Sequence, residues 1–285
     1  MSVDGALETW SRRLAGREDL PRECAALLPC WREEFPVCVH SPAIRNSLVA
    51  EPETFLFCND SRLVVMKRSP GEVSVFQSSL DTIEALEMET TLLHSCLTLH
   101  PRSAGPVQVP FNTVSEHLFE PVVAAFRKAR AAEVPEADPS RFPCPDPFRD
   151  LRVLDCKYHA FAFRVLPGDE VKGFFHHPTE PAPGLCHRSR VIPSYLLVSS
   201  GSMLYALSTR NRFHSGPIAD YSLVVRYLPF ASGIALDLRS TPGNRTYRML
   251  ELGAGSAGFQ LPLASRAERD FTGFARTVQR LAGQA

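Results

Sequence analysis

The chain has 285 residues, of which 44% are hydrophobic, and its 31 lysines and arginines balance 31 aspartates and glutamates. This hydrophobic content is that of an ordinary globular protein, so the composition excludes a disordered, a collagen-like and a coiled-coil chain. A formal net charge of zero also excludes a nucleic-acid-binding protein that depends on bulk basicity, because counterion release needs an excess of lysine and arginine.

The N-terminus, MSVDGALETWSRRLAG, is polar and charged, and it lacks the basic-then-apolar order of a secretory signal. No stretch reaches the roughly 18 apolar residues that a membrane span needs, so we expect a soluble, cytoplasmic protein. Its eight cysteines are scattered rather than concentrated as in a small disulfide scaffold. We therefore expect free thiols that are buried as small hydrophobic side chains.

A proline-rich stretch divides the chain into two halves. Proline fixes φ and removes a backbone donor, so this stretch is predicted to be a semi-rigid linker. The predicted organisation is an N-terminal helical extension at 1–35, a first domain at 36–130, the linker at 131–149 and a second domain at 150–285. The extension is expected to contain a helix from about Val3 to Leu14. The linker prolines are Pro135, Pro139, Pro143, Pro145 and Pro147.

Each half is predicted to consist of short strands followed by one helix. Runs rich in Val, Leu and Phe, broken by turn residues, indicate the strands of the first half. Its helix is expected from about Val114 to Ala131, capped by Thr113 or Ser115, with Pro121 in the first turns. The predicted strands are Thr54–Cys58, Arg62–Lys67, Val73–Gln77, Leu92–His100 and Val107–Phe111.

The second half follows the same rule. Its helix is predicted to start near Ser265, with Glu268 three residues later in a capping-box pattern. The predicted strands are Tyr158–Leu166, Val171–His176, Ser194–Val198, Met203–Leu207, Tyr221–Tyr227, Gly233–Leu238, Tyr247–Leu252 and Gly258–Leu263.

The two halves align with each other. Residues 54–67 match residues 194–207 at an offset of 140, and residues 109–129 match residues 261–281 at an offset of 152. The order of strands, the turn positions and the closing helix also agree. The pattern favours a structural duplication, with about twelve extra residues in the second half.

Each half resembles a pleckstrin-homology-like (PH-like) domain of the bacterial type, over roughly 36–130 and 150–284. The segments FLFCNDSRLVVMK, SLDTIEALE and VPFNTVSEHLFEPVVAAFRKA carry the resemblance best. It implies a mainly β (α+β) protein of two tandem half-open barrels, each closed by a C-terminal helix. It also implies binding of phosphoinositide head groups, peptides or partner proteins, without intrinsic catalytic machinery.

A glycine-rich segment, MLELGAGSAG, places Gly253, Gly255 and Gly258 in a G-x-G-x-x-G pattern. It looks like the cofactor loop of S-adenosylmethionine-dependent methyltransferases, in which a helix follows the loop. Here the strand-like FQLPL follows, so a hairpin between two strands is favoured. Ser256 is not expected to be a hydrolase nucleophile, because no histidine follows His214 to complete the usual Ser…Asp…His order.

Two groups of possible metal ligands lack the paired spacing of structural zinc sites. One comprises Cys24, Cys30, Cys38 and His40, and the other comprises His176, His177, Cys186 and His187. No metal or other cofactor is therefore predicted. The acidic residues Glu84, Glu87 and Glu89 are expected on the exposed side of a bent strand or turn.

Basic residues near predicted loops are the candidate ligand-binding residues. Arginine and lysine above exposed backbone N–H groups can hold an anion. On this basis an anion site is predicted from Lys67, Arg68, Arg210, Arg212 and Arg226.

The preferred function is a non-enzymatic binding or scaffolding module that binds a protein or peptide partner through PH-like domains. Binding of an anion or a phosphoinositide head group is an alternative, and a methyltransferase is a disfavoured one. Zero net charge argues against an electrostatic membrane search, so a membrane lipid is less favoured than a protein partner. A homo-oligomer stays open, and no nucleic-acid partner is expected.

Overall fold

The computed structural model describes residues 10–28, 35–45, 50–130, 148–166, 171–182, 190–211, 214–215, 222–240 and 246–284. The chain divides into two compact units, Met1–Arg130 and Ala131–Ala285. Residues 131–147 of the predicted linker, and residues 3–9 of the predicted N-terminal helix, lie outside the described residues.

The first unit opens with an antiparallel sheet in the order β1-β2-β5-β6-β7. A short helix, α1 (Arg22–Leu27), lies between β1 and β2, and the two-residue strands β3 and β4 pair with each other. The strands are β1 (Arg12–Leu14), β2 (Val37–Ser41), β3 (Ile44–Arg45), β4 (Ala50–Glu51), β5 (Glu53–Cys58), β6 (Arg62–Ser69) and β7 (Glu72–Ser79).

The last three residues of the predicted N-terminal helix, Arg12–Leu14, form a strand instead. Leu14 pairs with Cys38 of β2 and joins an apolar cluster under the sheet. That burial, together with the backbone pairing to β2, stabilises an extended Arg12–Leu14. The cluster consists of Leu14, Leu20, Cys24, Leu28, Cys38, Phe55, Phe57, Val64 and Met66.

A second antiparallel meander and a helix complete the first unit. The strands β8 (Ile83–Thr90), β9 (His94–Pro101) and β10 (Val107–Asn112) pair in that order. A 3₁₀ segment, Thr113–Phe119, leads into α2 (Glu120–Arg130), whose first turn contains Pro121 as predicted. The cap is Asn112 rather than Thr113 or Ser115, because the Asn112 side chain accepts a hydrogen bond from the Val114 N–H.

The second unit begins with two helices, α3 (Leu151–Leu154) and α4 (Cys156–Val165). Within the unit, one sheet has the order β11-β14-β15-β17, a second has the order β12-β13-β16, and a third has the order β18-β19-β20. The strands are β11 (Gly173–His177), β12 (Glu180–Ala182), β13 (Arg190–Ile192), β14 (Tyr195–Ser199), β15 (Met203–Ser208), β16 (His214–Ser215), β17 (Leu223–Pro229), β18 (Ile234–Ser240), β19 (Tyr247–Ala254) and β20 (Ala257–Ala264).

The prediction of a strand at Tyr158–Leu166 is wrong, because these residues belong to α4. Its buried residues Tyr158, Ala162 and Val165 recur at spacings of four and three, which is a helical stripe. Asp155 caps the helix, since its side chain accepts a hydrogen bond from the Tyr158 N–H at 3.4 Å. The aromatic content of the run suggested a strand, but the cap and the stripe favour a helix.

The last helix, α5 (Glu268–Ala282), follows a 3₁₀ turn, Ser265–Ala267. The predicted capping box does not form, because Ala267 stands at the N-cap and no side chain caps the helix. Glu268 instead forms an ion pair with Arg248 Nε at 3.2 Å. The apolar face of α5 buries Phe271, Phe274 and Val278, which recur at spacings of three and four residues.

The same order of elements occurs in both units. Four antiparallel strands pair in chain order, as β2-β5-β6-β7 in the first unit and as β11-β14-β15-β17 in the second, and a 3₁₀ turn, a three-stranded meander, a second 3₁₀ segment and a helix follow them. The strands β1, β3, β4, β12, β13 and β16 and the helices α1, α3 and α4 lie outside this shared order. Two residues join β6 to β7, whereas fourteen residues join β15 to β17. This loop accounts for the twelve extra residues of the second half.

The described part of the chain is therefore mainly β, with several antiparallel sheets, and no sheet in it closes into a barrel. Among the described helices, none combines the length and the apolar character needed to cross a membrane.

Candidate functional site

The glycine-rich segment is a β-hairpin. Gly253 pairs with Gly258 and Ala254 with Ala257, so β19 and β20 are joined by the two-residue turn Gly255-Ser256. Gly255 has a φ of 59°, which glycine adopts without strain. The hairpin prediction is confirmed, and the segment lacks the strand-to-helix geometry on which an adenosyl-binding loop depends.

The described residues contain no group of three or more His, Cys, Asp or Glu that could hold a metal ion. Cys30, Cys186 and His187 of the two sequence clusters lie outside the described residues. The free thiols of Cys24, Cys38 and Cys58 are buried, whereas Cys156 is exposed at the start of α4.

Glu84 does not lie on an exposed surface as predicted. It lies at a shift of the β8–β9 register between Ile83 and Ala85, and only 4% of the residue is exposed. Its Oε1 accepts a hydrogen bond from Arg102 Nε at 3.1 Å, so the buried carboxylate has a charged partner.

The residues predicted to bind an anion lie in both units. Lys67 and Arg68 are half-buried on β6, whereas Arg210 is exposed after β15 and Arg226 lies on β17. Arg212 lies outside the described residues.

Arg226 is held by groups of its own unit. Its Nη1 donates to Ser208 Oγ at 2.8 Å, and its guanidinium lies 5.0 Å from the centre of the Phe259 ring. A half-buried guanidinium over an aromatic ring contributes to packing through a cation–π contact. The backbone N–H of Arg210 donates to Ser222 Oγ at 2.8 Å, which ties the loop to the start of β17.

Arg68 is engaged by two carboxylates of the first unit. Its Nε lies 2.7 Å from Glu53 Oε2, and its Nη1 lies 3.0 Å from Glu23 Oε1 on α1. Glu53 uses its other oxygen, Oε1, to contact His40 Nε2 at 2.8 Å. Arg68, Glu23, Glu53 and His40 therefore form one connected network, in which two carboxylates contact the Arg68 guanidinium.

Burial lowers the pKa of His40, although the hydrogen bond and the charge of Glu53 oppose this shift. The ring also stacks on Phe55, with 4.8 Å between the ring centres. The His40 imidazole is therefore harder to protonate than an exposed one.

A cleft of about 610 Å³ lies between α1 and the β6–β7 hairpin. The hairpin turn, Pro70-Gly71, has proline at its first central position and a Gly71 φ of 81° at its second, which is the pattern of a type II turn. The cleft is lined by Glu23, Leu27, Ala43, Glu53, Arg68, Ser69, Pro70, Gly71, Glu72 and Val73. Its charged lining residues are Glu23, Glu53, Glu72 and Arg68, and the first two contact Arg68.

β7 forms the edge of the sheet beside this cleft, and among the described strands it pairs only with β6. Ser69 and Glu72 close the two-residue turn as a hydrogen-bonded pair, so the alternation of an antiparallel ladder directs the backbone groups of Val73, Val75 and Gln77 away from β6. The Val75 residue is 42% exposed. This edge presents both backbone donors and apolar surface.

Sequence patterns identified Arg68 but not the cleft around it. Glu23 precedes Arg68 by 45 residues and Glu53 lies across the β5–β6 ladder, where it pairs with Arg68 in register. The signal in the sequence is the Ser-Pro-Gly turn, which predicts a hairpin tip but not the helix that packs beside it.

A second cluster of polar groups is buried in the second unit. His177 is fully buried, its ring stacks on Tyr195, and its Nε2 accepts a hydrogen bond from the Ala264 N–H at 3.1 Å. Burial lowers the pKa of His177 to about 4, while the charge of Glu180 opposes the shift. Glu180 in turn forms an ion pair with Arg266 Nε at 2.6 Å. These contacts tie β11 and β12 to the end of β20.

The chain matches no known protein-family model, and a search of the curated proteins finds no match. Its candidate site is therefore interpreted from its own geometry.

Proposed function

We propose that the protein is a non-enzymatic, cytoplasmic binding module of two tandem PH-like domains. The proposal is supported by the repeated order of four strands, three strands and a helix, which is the order of a PH-like fold. In this proposal each unit is a scaffold, and function depends on the surfaces it presents to a partner.

The partner is a segment of another protein that adds a strand to β7. The observation that carries this proposal is the exposed edge of β7 beside the cleft of the first unit. Backbone hydrogen bonds to Val73, Val75 and Gln77 would supply affinity, and the cleft would supply specificity through alternate side chains.

Binding of an anion or a phosphoinositide head group is less well supported. Arg68 already contacts Glu23 and Glu53, and a bound phosphate would meet both carboxylates as well as Glu72. Arg226 is engaged by Ser208 and Phe259. Arg68 and Arg226 would therefore have to give up existing partners to bind an anion.

The test replaces Val75 with proline in the full chain. Because the Val75 N–H points away from β6, Val75→Pro removes an outward donor without removing a hydrogen bond of the β6–β7 ladder. The matched control, Val75→Thr, keeps both the donor and a β-branched side chain. Peptides selected from a random heptapeptide display library on the wild-type chain serve as probes, and their affinities are measured by fluorescence anisotropy.

We expect Val75→Pro to weaken peptide binding at least about tenfold. The substitution removes a backbone hydrogen bond between neutral groups, and the proline ring also disturbs the extended backbone of β7. Val75→Thr should bind within about twofold of the wild type. Equal affinity of all selected peptides for the wild-type chain and the proline variant, with both variants folded by circular dichroism, contradicts the proposal.

A further inference from the structure

We infer that the segment bound at β7 is basic, and that it places a lysine or arginine side chain in the cleft between α1 and the β6–β7 hairpin. This inference rests on the proposed function, because it assigns the chemistry of the partner at the same edge.

The charge of the cleft carries the inference. The residues that line the cleft include three glutamates, Glu23, Glu53 and Glu72, and one cation, Arg68, so the lining has a formal charge of −2. Glu53 and Arg68 neutralise each other at 2.7 Å. Glu72 and the second carboxylate oxygen of Glu23 can still accept hydrogen bonds from a cationic head group.

The walls of the cleft fit the rest of such a side chain. Leu27 is 49% exposed, and together with Ala43, Pro70 and Val73 it gives the cleft an apolar side. Lysine and arginine bury their aliphatic stems on apolar surface while the charged end stays with polar groups. A cleft lined by both apolar side chains and carboxylates is complementary to such an amphipathic side chain.

The position of the cleft fits an added strand. Val73 belongs both to β7 and to the cleft lining. Side chains of a strand paired with β7 alternate between the two faces of the sheet, so every second residue of the bound segment would lie on the face that carries α1. We therefore expect lysine or arginine at alternate positions of the partner segment rather than a continuous basic run.

The test uses the display-selected heptapeptides described above with the full chain. We expect them to be enriched in lysine or arginine relative to the starting library. The double variant Glu23→Gln/Glu72→Gln should weaken their binding about 3- to 10-fold, as two partly exposed charge pairs imply, and the loss should shrink as salt is raised. Glu120→Gln, an exposed glutamate at the start of α2, is the matched control.

A double-mutant cycle identifies the pair directly. Replacing the basic residue of a selected peptide by glutamine should weaken its binding to the wild-type chain but not its binding to the Glu23→Gln/Glu72→Gln variant. Equal losses with both proteins, or no enrichment of basic residues, overturn the inference, while sensitivity to Val75→Pro would still support the proposed function. If no selected peptide is sensitive to Val75→Pro, both proposals fail.

Discussion

Two buried tyrosines of the second unit differ in how their hydroxyl groups are satisfied. Tyr158 donates from its hydroxyl to the Ser194 carbonyl at 2.7 Å. The Tyr195 hydroxyl is equally buried, but the described residues offer it no hydrogen-bond partner, and burial raises its pKa well above its usual value. A buried hydroxyl without a hydrogen-bond partner lowers the free energy of unfolding. Removing a hydroxyl that has a partner also lowers it, because the partner then loses a hydrogen bond.

We therefore expect opposite results from removing the two hydroxyl groups. Tyr195→Phe should leave the free energy of unfolding unchanged or raise it by up to about 1 kcal/mol, because it deletes an unsatisfied polar group. Tyr158→Phe, the matched control, should lower it by about 1 kcal/mol, because it leaves the Ser194 carbonyl without this donor. Urea denaturation measures both, and a larger loss for Tyr195→Phe than for Tyr158→Phe contradicts the assignment.

At the scale of elements, the sequence predicted strands wherever β-branched and aromatic runs were bounded by turn residues. β5, β6, β7, β9 and β10 confirm that rule to within two residues at each end. It failed at Tyr158–Leu166, where aromatic content concealed a helical stripe. It also missed β8, whose glutamates interrupt the apolar run, and it missed β1 and β2, which pair within one sheet with β5. Local patterns predict elements that local forces stabilise, while the cleft depends on contacts between distant residues.

The β6–β7 hairpin depends on a glycine with a positive φ. Gly71 has a φ of 81°, and no heavy atom lies within 4 Å of the position that a Cβ would occupy. A side chain here would therefore meet no steric clash, and the cost of a substitution comes from the positive φ alone. Gly71→Ala should lower the free energy of unfolding by about 1 kcal/mol. The control is Gly105→Ala, because Gly105 has equal space without a positive φ. Thermal unfolding followed by circular dichroism measures both, and equal stability of the two variants excludes a backbone cost at the turn.

At the scale of the whole molecule, the two units repeat one detail of their interiors. His40 stands opposite Phe55 in the β2–β5 ladder and stacks on it, and His177 stands opposite Tyr195 in the β11–β14 ladder and stacks in the same way. Burial lowers the pKa of both histidines. Each unit therefore has a buried histidine with a lowered pKa at the equivalent position of its first sheet.

This repeat predicts a loss of stability in acid. The unfolded chain protonates His177 near its ordinary pKa of 6.5, whereas the folded chain does so only near about 4. The unfolded state binds more protons between these values, so stability is full above pH 6.5 and falls as the pH is lowered towards 4. By pH 5 the loss from His177 alone should reach about 2 kcal/mol.

His177→Gln tests the assignment, since the glutamine oxygen can still accept the hydrogen bond from the Ala264 N–H. Both tryptophans of the chain precede residue 32, so hydrogen exchange of the amides of β14 and β15 is the better probe of the second unit. The free energy of opening of β14 and β15 is obtained from these exchange rates after correction for the intrinsic rates. Between pH 7 and 5 it should fall less in His177→Gln than in the wild type. His94→Gln, an exposed histidine on β9, is the control. An unchanged pH dependence in His177→Gln would mean that other groups cause the loss of stability in acid.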